Sequence, residues 1–106
     1  MASGILSRNI LTQSTDTLVY TVPAGTVASV TVSLCNQSTS GDARINMALT
    51  PLGASTANSY IEFNAIVPSA GVLERSAIVL GAAQTIRVTS TNANTSVVVF
   101  GIEETA

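Results

Sequence analysis

The ten residues Thr26-Val-Ala-Ser-Val-Thr-Val-Ser-Leu-Cys35 alternate, from Ala28 on, between apolar and small polar side chains. The two sets have opposite parity, with Ala28, Val30, Val32 and Leu34 on one side and Ser29, Thr31 and Ser33 on the other. Successive side chains of a β-strand point to opposite faces, so this pattern predicts a strand with one buried side. Turn signals bound the strand, namely Pro23-Ala-Gly25 before it and residues 36–42 after it.

Shorter runs of the same kind lie on both sides of this strand. We expect further strands at 17–22, from 43 onward, and at 60–67, 72–80, 85–90 and 96–103, with a longer loop over 51–58. Within 60–67, the alternation places Ile61, Phe63, Ala65 and Val67 on the buried side. The regular spacing and the lack of helical periodicity predict an all-β fold, a single antiparallel β-sandwich of jelly-roll or immunoglobulin-like type with about 7–8 strands.

The length of 106 residues indicates one domain. Residues 17–106 form the predicted sandwich, and residues 1–16 form an N-terminal arm or edge strand. This segment is a candidate attachment element because it carries Ile5, Leu6, Ile10 and Leu11 without clean alternation. The runs 72–80 and 96–103 are apolar on both parities, and the second includes Val98, Phe100 and Ile102. We expect the run over 96–103 to be a central strand or one covered by another subunit.

Most of the residue types that carry out acid–base, metal or covalent chemistry are absent from the chain or isolated in it. The chain has no His, no Trp and one Cys, and its four basic residues are all Arg. We therefore predict no catalytic residue, no cofactor and no metal site, and a protein that is not an enzyme. Only 9% of the residues are charged and 46% are hydrophobic, which leaves little charge to keep a small domain monomeric. We expect copies of this chain or another protein to cover part of its surface.

Nucleic-acid binding and membrane insertion are both poorly supported. Phosphate recognition needs clustered basic residues, whereas the four Arg are far apart in sequence and the isoelectric point is near 4.7. The chain has no apolar run approaching the roughly 20 residues of a spanning helix.

The acidic residues raise the questions of a hydrolytic carboxylate pair and of a calcium site. Glu62 and Glu74 are expected on neighbouring strands joined by the 68–71 turn, with Arg75 beside Glu74. Paired carboxylates can hydrolyse glycosidic bonds, but without an aromatic platform for a sugar we interpret these as solvated or interchain ion-pairing groups. Asp16 and Asp42 fall in separate turns, so they do not predict a calcium site.

Cys35 is the one side chain with distinctive reactivity. The strand alternation assigns it to the outer face, although a free Cys is more often buried. Three interpretations stay open: a bulge near Asn36 turns it inward, it lies reduced against another subunit, or it forms an interchain disulfide.

Three stretches of the chain resemble small proteins encoded among the structural genes of tailed bacteriophages. The first is Val19-Tyr-Thr-Val-Pro-Ala-Gly-Thr-Val-Ala-Ser-Val-Thr-Val-Ser-Leu-Cys-Asn36. The second combines Tyr60-Ile-Glu-Phe63, Pro68-Ser-Ala-Gly-Val-Leu-Glu-Arg75 and Ile78-Val-Leu-Gly-Ala-Ala-Gln84. The third is the ending Val97-Val-Val-Phe-Gly-Ile-Glu-Glu104. The Gly-Val-Leu-Glu-Arg segment and the Gly-Ile-Glu-Glu ending are the most specific parts.

This resemblance implies a virion component without enzymatic activity, assembled in the host cytoplasm and exposed on the particle. Our leading hypothesis is a homotrimer in a tail fibre or baseplate appendage that contacts other virion proteins. In this trimer the runs 72–80 and 96–103 are buried along the three-fold axis. The candidate interface residues are Ile5, Leu6, Ile10, Leu11, Val98, Phe100 and Ile102, with Cys35 as a candidate interchain disulfide. One alternative is a capsid decoration protein that stabilises the head. Another is a carbohydrate-binding module for a host surface glycan, with contributions from Tyr60 and the 91–95 turn.

Overall fold

The computed structural model describes residues 3–39, 41–51 and 59–105, and all regular structure in these ranges is β. The eight strands are β1 (Ser3–Ile10), β2 (Thr17–Thr21), β3 (Thr26–Asn36), β4 (Ala43–Thr50), β5 (Tyr60–Val67), β6 (Val72–Leu80), β7 (Thr85–Ser90) and β8 (Thr95–Thr105). They coincide with the predicted runs, and the N-terminal segment contributes an edge strand. From residue 52 on, the loop predicted over 51–58 lies outside the described residues. No helix in the described ranges is long and apolar enough to cross a bilayer.

The strands form two antiparallel sheets of four. Sheet A has the order β1-β8-β3-β6, and sheet B has the order β2-β7-β4-β5. Within them β1 pairs with β8, β2 with β7, β3 with β6 and β4 with β5. Pairing of the first strand with the last, and of each following strand with the next one in from the end of the chain, is the topology of a jelly roll. The predicted β-sandwich is therefore confirmed, and of its two expected types the jelly roll is the one formed.

The core lies between the sheets and consists mainly of aliphatic side chains. Those that are fully buried include Val32, Leu34, Ile45, Ile86, Val88 and Val99. In β3 the predicted alternation holds from Ala28 to Asn36, because every second residue is buried. The strand β8 lies between β1 and β3, which confirms its predicted central position. The strand β6, with apolar residues on both parities, is an edge strand instead.

Two polar groups join separate parts of the sandwich. The Tyr20 hydroxyl of β2 donates a 2.5 Å hydrogen bond to Oε2 of Glu103 in β8, which links the two sheets. Burial of the Tyr20 ring, with the hydrogen bond and the negative charge of Glu103, raises the pKa of Tyr20 well above its ordinary value. Asn36 is fully buried, and its Nδ2 donates to the carbonyl oxygens of Gly41 (2.9 Å) and Val67 (3.1 Å). These bonds tie together the turns at one end of the molecule.

Gly101 allows β8 and β3 to approach closely. It has a φ of 154° and lies opposite Val30 in the central pair of sheet A. A Cβ atom at this position would lie 2.1 Å from the carbonyl oxygen of Ser29 and 2.8 Å from Cα of Val30. No side chain fits there without displacing the β3 backbone.

The strand β5 departs from the alternation expected of it. Phe63, predicted to be buried, is 70% exposed. Ile45 of β4 lies opposite Ala65, whereas Met47 lies opposite Glu62, so β5 holds one residue more than β4 in this interval. This bulge changes the side-chain parity along β5, and the predicted inward position of Phe63 is wrong for that reason.

The other edge strands are bulged in the same way. The extra residue is Leu6 in β1, Val19 in β2 and one of the residues between Arg75 and Ile78 in β6. All four edge strands of the sandwich therefore depart from a regular ladder, whereas the β3–β8 pair is continuous from Thr26 to Asn36.

Candidate interaction surface

The outward side of sheet A, which we call the A face, exposes large apolar side chains. Ten large hydrophobic side chains are exposed in the described part of the chain, and seven of them lie on this face: Ile5, Ile10, Val27, Val72, Val79, Phe100 and Ile102. Ile5, Ile10 and Val79 are each at least 65% exposed. A concentration of exposed large apolar side chains on one face of a small domain marks an interaction site.

The strand register defines the relief of the A face. Its two central strands carry different kinds of outward side chain: Val98, Phe100 and Ile102 on β8, and Ser29, Thr31 and Ser33 on β3. These positions face outward because their neighbours, such as Val97 and Val99 in β8, are buried in the core. The face therefore has a ridge along β8 and a shallow groove along β3.

Charged side chains are sparse on this face and stand at its margins. One row across the sheet reads Arg8, Val98, Ser33, Glu74, from β1 through β8 and β3 to β6. Arg8 and Glu74 are thus at opposite edges of the same row, and both are exposed. Glu104 lies opposite Val27 at the far end of the face.

The structure brings most of the predicted interface residues together. Ile5 and Ile10 of β1 share the A face with Val98, Phe100 and Ile102 of β8. Sequence reasoning expected the run 72–80 to be buried against other subunits without singling out Val72 and Val79, and it did not identify Val27. The signal for Val72 and Val79 was the run of apolar residues on both parities of 72–80.

Two predicted interface residues lie elsewhere. Leu11 is only 2% exposed and belongs to the core, where its N–H donates to the carbonyl oxygen of Thr95. Leu6 is the extra residue of the β1 bulge and packs against the core. Neither side chain contributes to the A face, because the bulge and the end of β1 turn them toward the interior.

Cys35 is a free, half-buried thiol on the A face, between Ser96 of β8 and Val72 of β6. The alternation of β3 continues without a bulge to Asn36, which takes the buried position. The interpretation in which a bulge near Asn36 turns Cys35 inward is therefore wrong. Contact with another subunit and an interchain disulfide remain as predictions.

The carboxylates do not share a cleft. Arg75 Nε lies 3.2 Å from Glu62 Oε2, so Arg75 pairs with Glu62 and not with its chain neighbour Glu74. Adjacent residues of a strand point to opposite faces, and Glu74 projects from the A face instead. Asp16 forms an ion pair with Arg87, with 3.6 Å between the charged atoms. Within 3–39, 41–51 and 59–105, no three His, Cys, Asp or Glu side chains are grouped as a metal site requires.

The residues considered for glycan binding are likewise separated. Tyr60 lies opposite Ala48 near one end of β4, whereas the N–H of Thr91 donates to the carbonyl of Arg44 near the other end. Tyr60 instead contacts the exposed ring of Phe63 edge to face, with 5.3 Å between the ring centroids. The structure therefore brings together an aromatic pair on β5 and leaves the 91–95 turn apart from it.

No protein-family model and no curated protein sequence matches the chain. Among solved structures, it is similar to a pentameric capsid protein isolated from metagenomic phage sequences, with a TM-score of 0.45 and 18% identity. That alignment covers 93% of this chain and 63% of the capsid protein. The chain is also similar to the GH26-CBM35 β-(1,4)-mannanase of Podospora anserina, with a TM-score of 0.38 and 14% identity. That alignment covers 94% of this chain and 26% of the mannanase.

Proposed function

We propose that this chain is a non-enzymatic structural protein of a bacteriophage virion that is held in the particle through its A face. The observation that carries the proposal is the concentration of exposed large apolar side chains on one face, seven of ten in the described ranges. Association with another protein that covers this apolar surface is favourable, because it removes apolar area from water.

The residue inventory and the sequence resemblance support the rest of the proposal. A chain without His and Lys and with one Cys lacks the residues that most often act as the general base beside a nucleophile. The virion assignment rests on the resemblance of the 19–36, 60–84 and 97–104 stretches to phage structural proteins. Within the virion, we propose a tail fibre or baseplate appendage, with capsid decoration as the alternative. The homotrimer expected from the sequence is untested, and the mass measurement described below distinguishes three chains from two.

The experiment is to locate the protein in purified particles and to alter the A face. We expect the wild-type chain in intact particles by mass spectrometry, and on the tail by labelled electron microscopy. The variant Phe100→Glu places a charge on the ridge and should abolish incorporation. The control Leu18→Glu alters an exposed apolar residue of sheet B and should incorporate normally. Absence of the wild-type chain from particles, or equal incorporation of both variants, would refute the proposal.

The Tyr60–Phe63 pair favours a second candidate function, contact with a host surface glycan. An exposed aromatic ring offers an apolar face to a sugar, and Phe63 is 70% exposed. A glycan array should then show binding that Phe63→Ala removes and Ile66→Ala, a matched exposed residue of β5, retains. An array without any bound glycan would eliminate this candidate.

A further inference from the structure

We infer that the A face pairs with the A face of a second copy of this chain, about a two-fold axis that runs along the strands. This inference rests on the proposed function for its premise that the A face is covered in the assembled state. It specifies that the contact that the A face makes in the particle is with a second copy of this chain. Three properties of the face support it: the placement of its charges, its relief and its area.

The charges of the A face complement those of a copy in this orientation. Arg8 and Glu74 lie three strand spacings apart, about 14 Å, which is too far for an ion pair within one chain. In the described part of the chain, neither side chain has another ion-pair partner. A two-fold axis parallel to the strands lays the β1 edge of one copy over the β6 edge of the other. Arg8 of each copy then meets Glu74 of the other, because the two residues belong to the same row.

The relief of the face is complementary under the same rotation. The axis places the β8 strand of one copy over the β3 strand of the other. The ridge formed by Val98, Phe100 and Ile102 then faces the small side chains Ser33, Thr31 and Ser29, row by row. Interdigitation of large with small side chains is what gives packed interfaces the density of protein interiors.

A two-fold axis across the strands would not have these properties. It would place β8 on β8 and β3 on β3, with ridge against ridge and groove against groove. Arg8 would then face the β1 strand of the second copy instead of Glu74. The strand-parallel axis also brings the two Glu104 side chains near each other, but at the exposed end of the face, where water screens them.

The area of the face is that of a weak, transient dimer. Four strands at their usual spacing give a width of about 19 Å, and the seven rows from Ser96 to Ile102 give a length of about 23 Å. Two such faces bury about 900 Å² before the relief of the side chains is counted, which approaches the lower bound for specific interfaces. We therefore expect dissociation in the micromolar range.

The two-fold arrangement also has a consequence for Cys35. The two Cys35 Cα atoms would be one strand spacing apart laterally and one sheet separation apart vertically, a distance of about 11 Å. A disulfide requires less than about 7 Å between Cα atoms, so this dimer excludes an interchain disulfide at Cys35. It covers the thiol instead, in accordance with the interpretation that Cys35 lies reduced against another subunit.

Charge reversal tests the pairing with the full chain. We expect sedimentation equilibrium to give the wild-type protein twice its 10.8 kDa mass at high concentration. Arg8→Glu and Glu74→Arg should each raise the dissociation constant by at least about tenfold, because each replaces attraction with repulsion at both edges. An equimolar mixture of the two variants should associate again, and native mass spectrometry should detect the heterodimer. The double variant Arg8→Glu/Glu74→Arg should dimerise like the wild type.

A second pair of variants tests the relief independently of the charges. Ser33→Phe fills the groove on β3 and should abolish dimerisation, whereas Thr89→Phe, on the outer side of sheet B, should leave it unchanged. A wild-type monomer up to several hundred micromolar would overturn the inference. So would a mass of three chains, or a failure of the charge-reversed variants to associate when mixed.

The failure of this inference and that of the proposed function are distinguishable. A chain that stays monomeric in solution but is incorporated into particles refutes the dimer and leaves the virion role standing. A chain that dimerises as described but is absent from particles refutes the virion role and leaves the dimer standing.

Discussion

Replacement of Gly101 by Ala should destabilise the sandwich more than the addition of a methyl group at any exposed position of the surface. The new Cβ atom would lie 2.1 Å from the Ser29 carbonyl oxygen, so the β3 and β8 backbones must separate locally by about 1 Å. Such a displacement weakens about two ladder hydrogen bonds, at roughly 0.5–1.5 kcal/mol each. The φ of 154° adds about 1–3 kcal/mol for an L-residue. The expected loss is therefore about 2–6 kcal/mol, against a total stability of about 5–15 kcal/mol for a domain of this kind.

Urea unfolding followed by far-UV circular dichroism measures this loss, and thermal unfolding should show a decrease in Tm of about 10–25 °C. Gly81→Ala is the matched control. A Cβ atom at Gly81 meets nothing closer than the Gln84 side chain at 3.7 Å, so the stability should change by less than about 0.5 kcal/mol. Both variants should be measured at several protein concentrations, because association adds to apparent stability. A Gly101→Ala variant within about 1 kcal/mol of the wild type would show that β3 and β8 do not need this close approach.

Three further predictions concern polar groups. Asn36→Ala should lower the free energy of unfolding by about 2–4 kcal/mol, because it removes the Nδ2 donor to the carbonyl groups of Gly41 and Val67; unchanged urea unfolding would contradict this. The pKa of Tyr20 is higher in the folded chain than in the unfolded chain. The stabilisation that the protonated Tyr20 hydroxyl provides is therefore fully present below pH 10, the ordinary tyrosine value, and is lost as the pH rises further. Urea unfolding between pH 8 and 11 should show this loss in the wild type and a smaller one in Tyr20→Phe, and parallel curves would refute it. Arg75→Ala should lower the stability by less than about 1 kcal/mol, because the ion pair with Glu62 is partly exposed; a larger loss by thermal unfolding would indicate an additional role.

The strand pattern was predictable where side-chain alternation is uninterrupted. In β3 and β7 each position faces the side that the sequence indicates, because both strands are paired on two sides and have a regular register. In β5 the same reasoning failed at Phe63. The cause is a bulge in which Asn64 adopts a φ of 58°, and nothing in the alternation of Tyr60–Val67 marks it.

The A face was predictable only in part, because it depends on pairing between distant segments. The sequence indicated that β1 and β8 carry outward apolar residues, but not that they are neighbours or that Ile5 lies opposite Phe100. The row that places Arg8 and Glu74 at opposite edges depends on three separate registers. Leu11 could not be assigned to the core from its local sequence, because the end of β1, not the pattern around it, determines its direction.

The bulges in all four edge strands determine how this protein can and cannot polymerise. A regular exposed edge is a template for strand addition, and a protein produced in many copies could then stack into fibrils. Here the irregular ladders of β1, β2, β5 and β6 hinder such growth in either direction from both sheets. Assembly is thereby directed to contacts between side chains on the broad faces, and a two-fold contact of A face with A face closes at two copies.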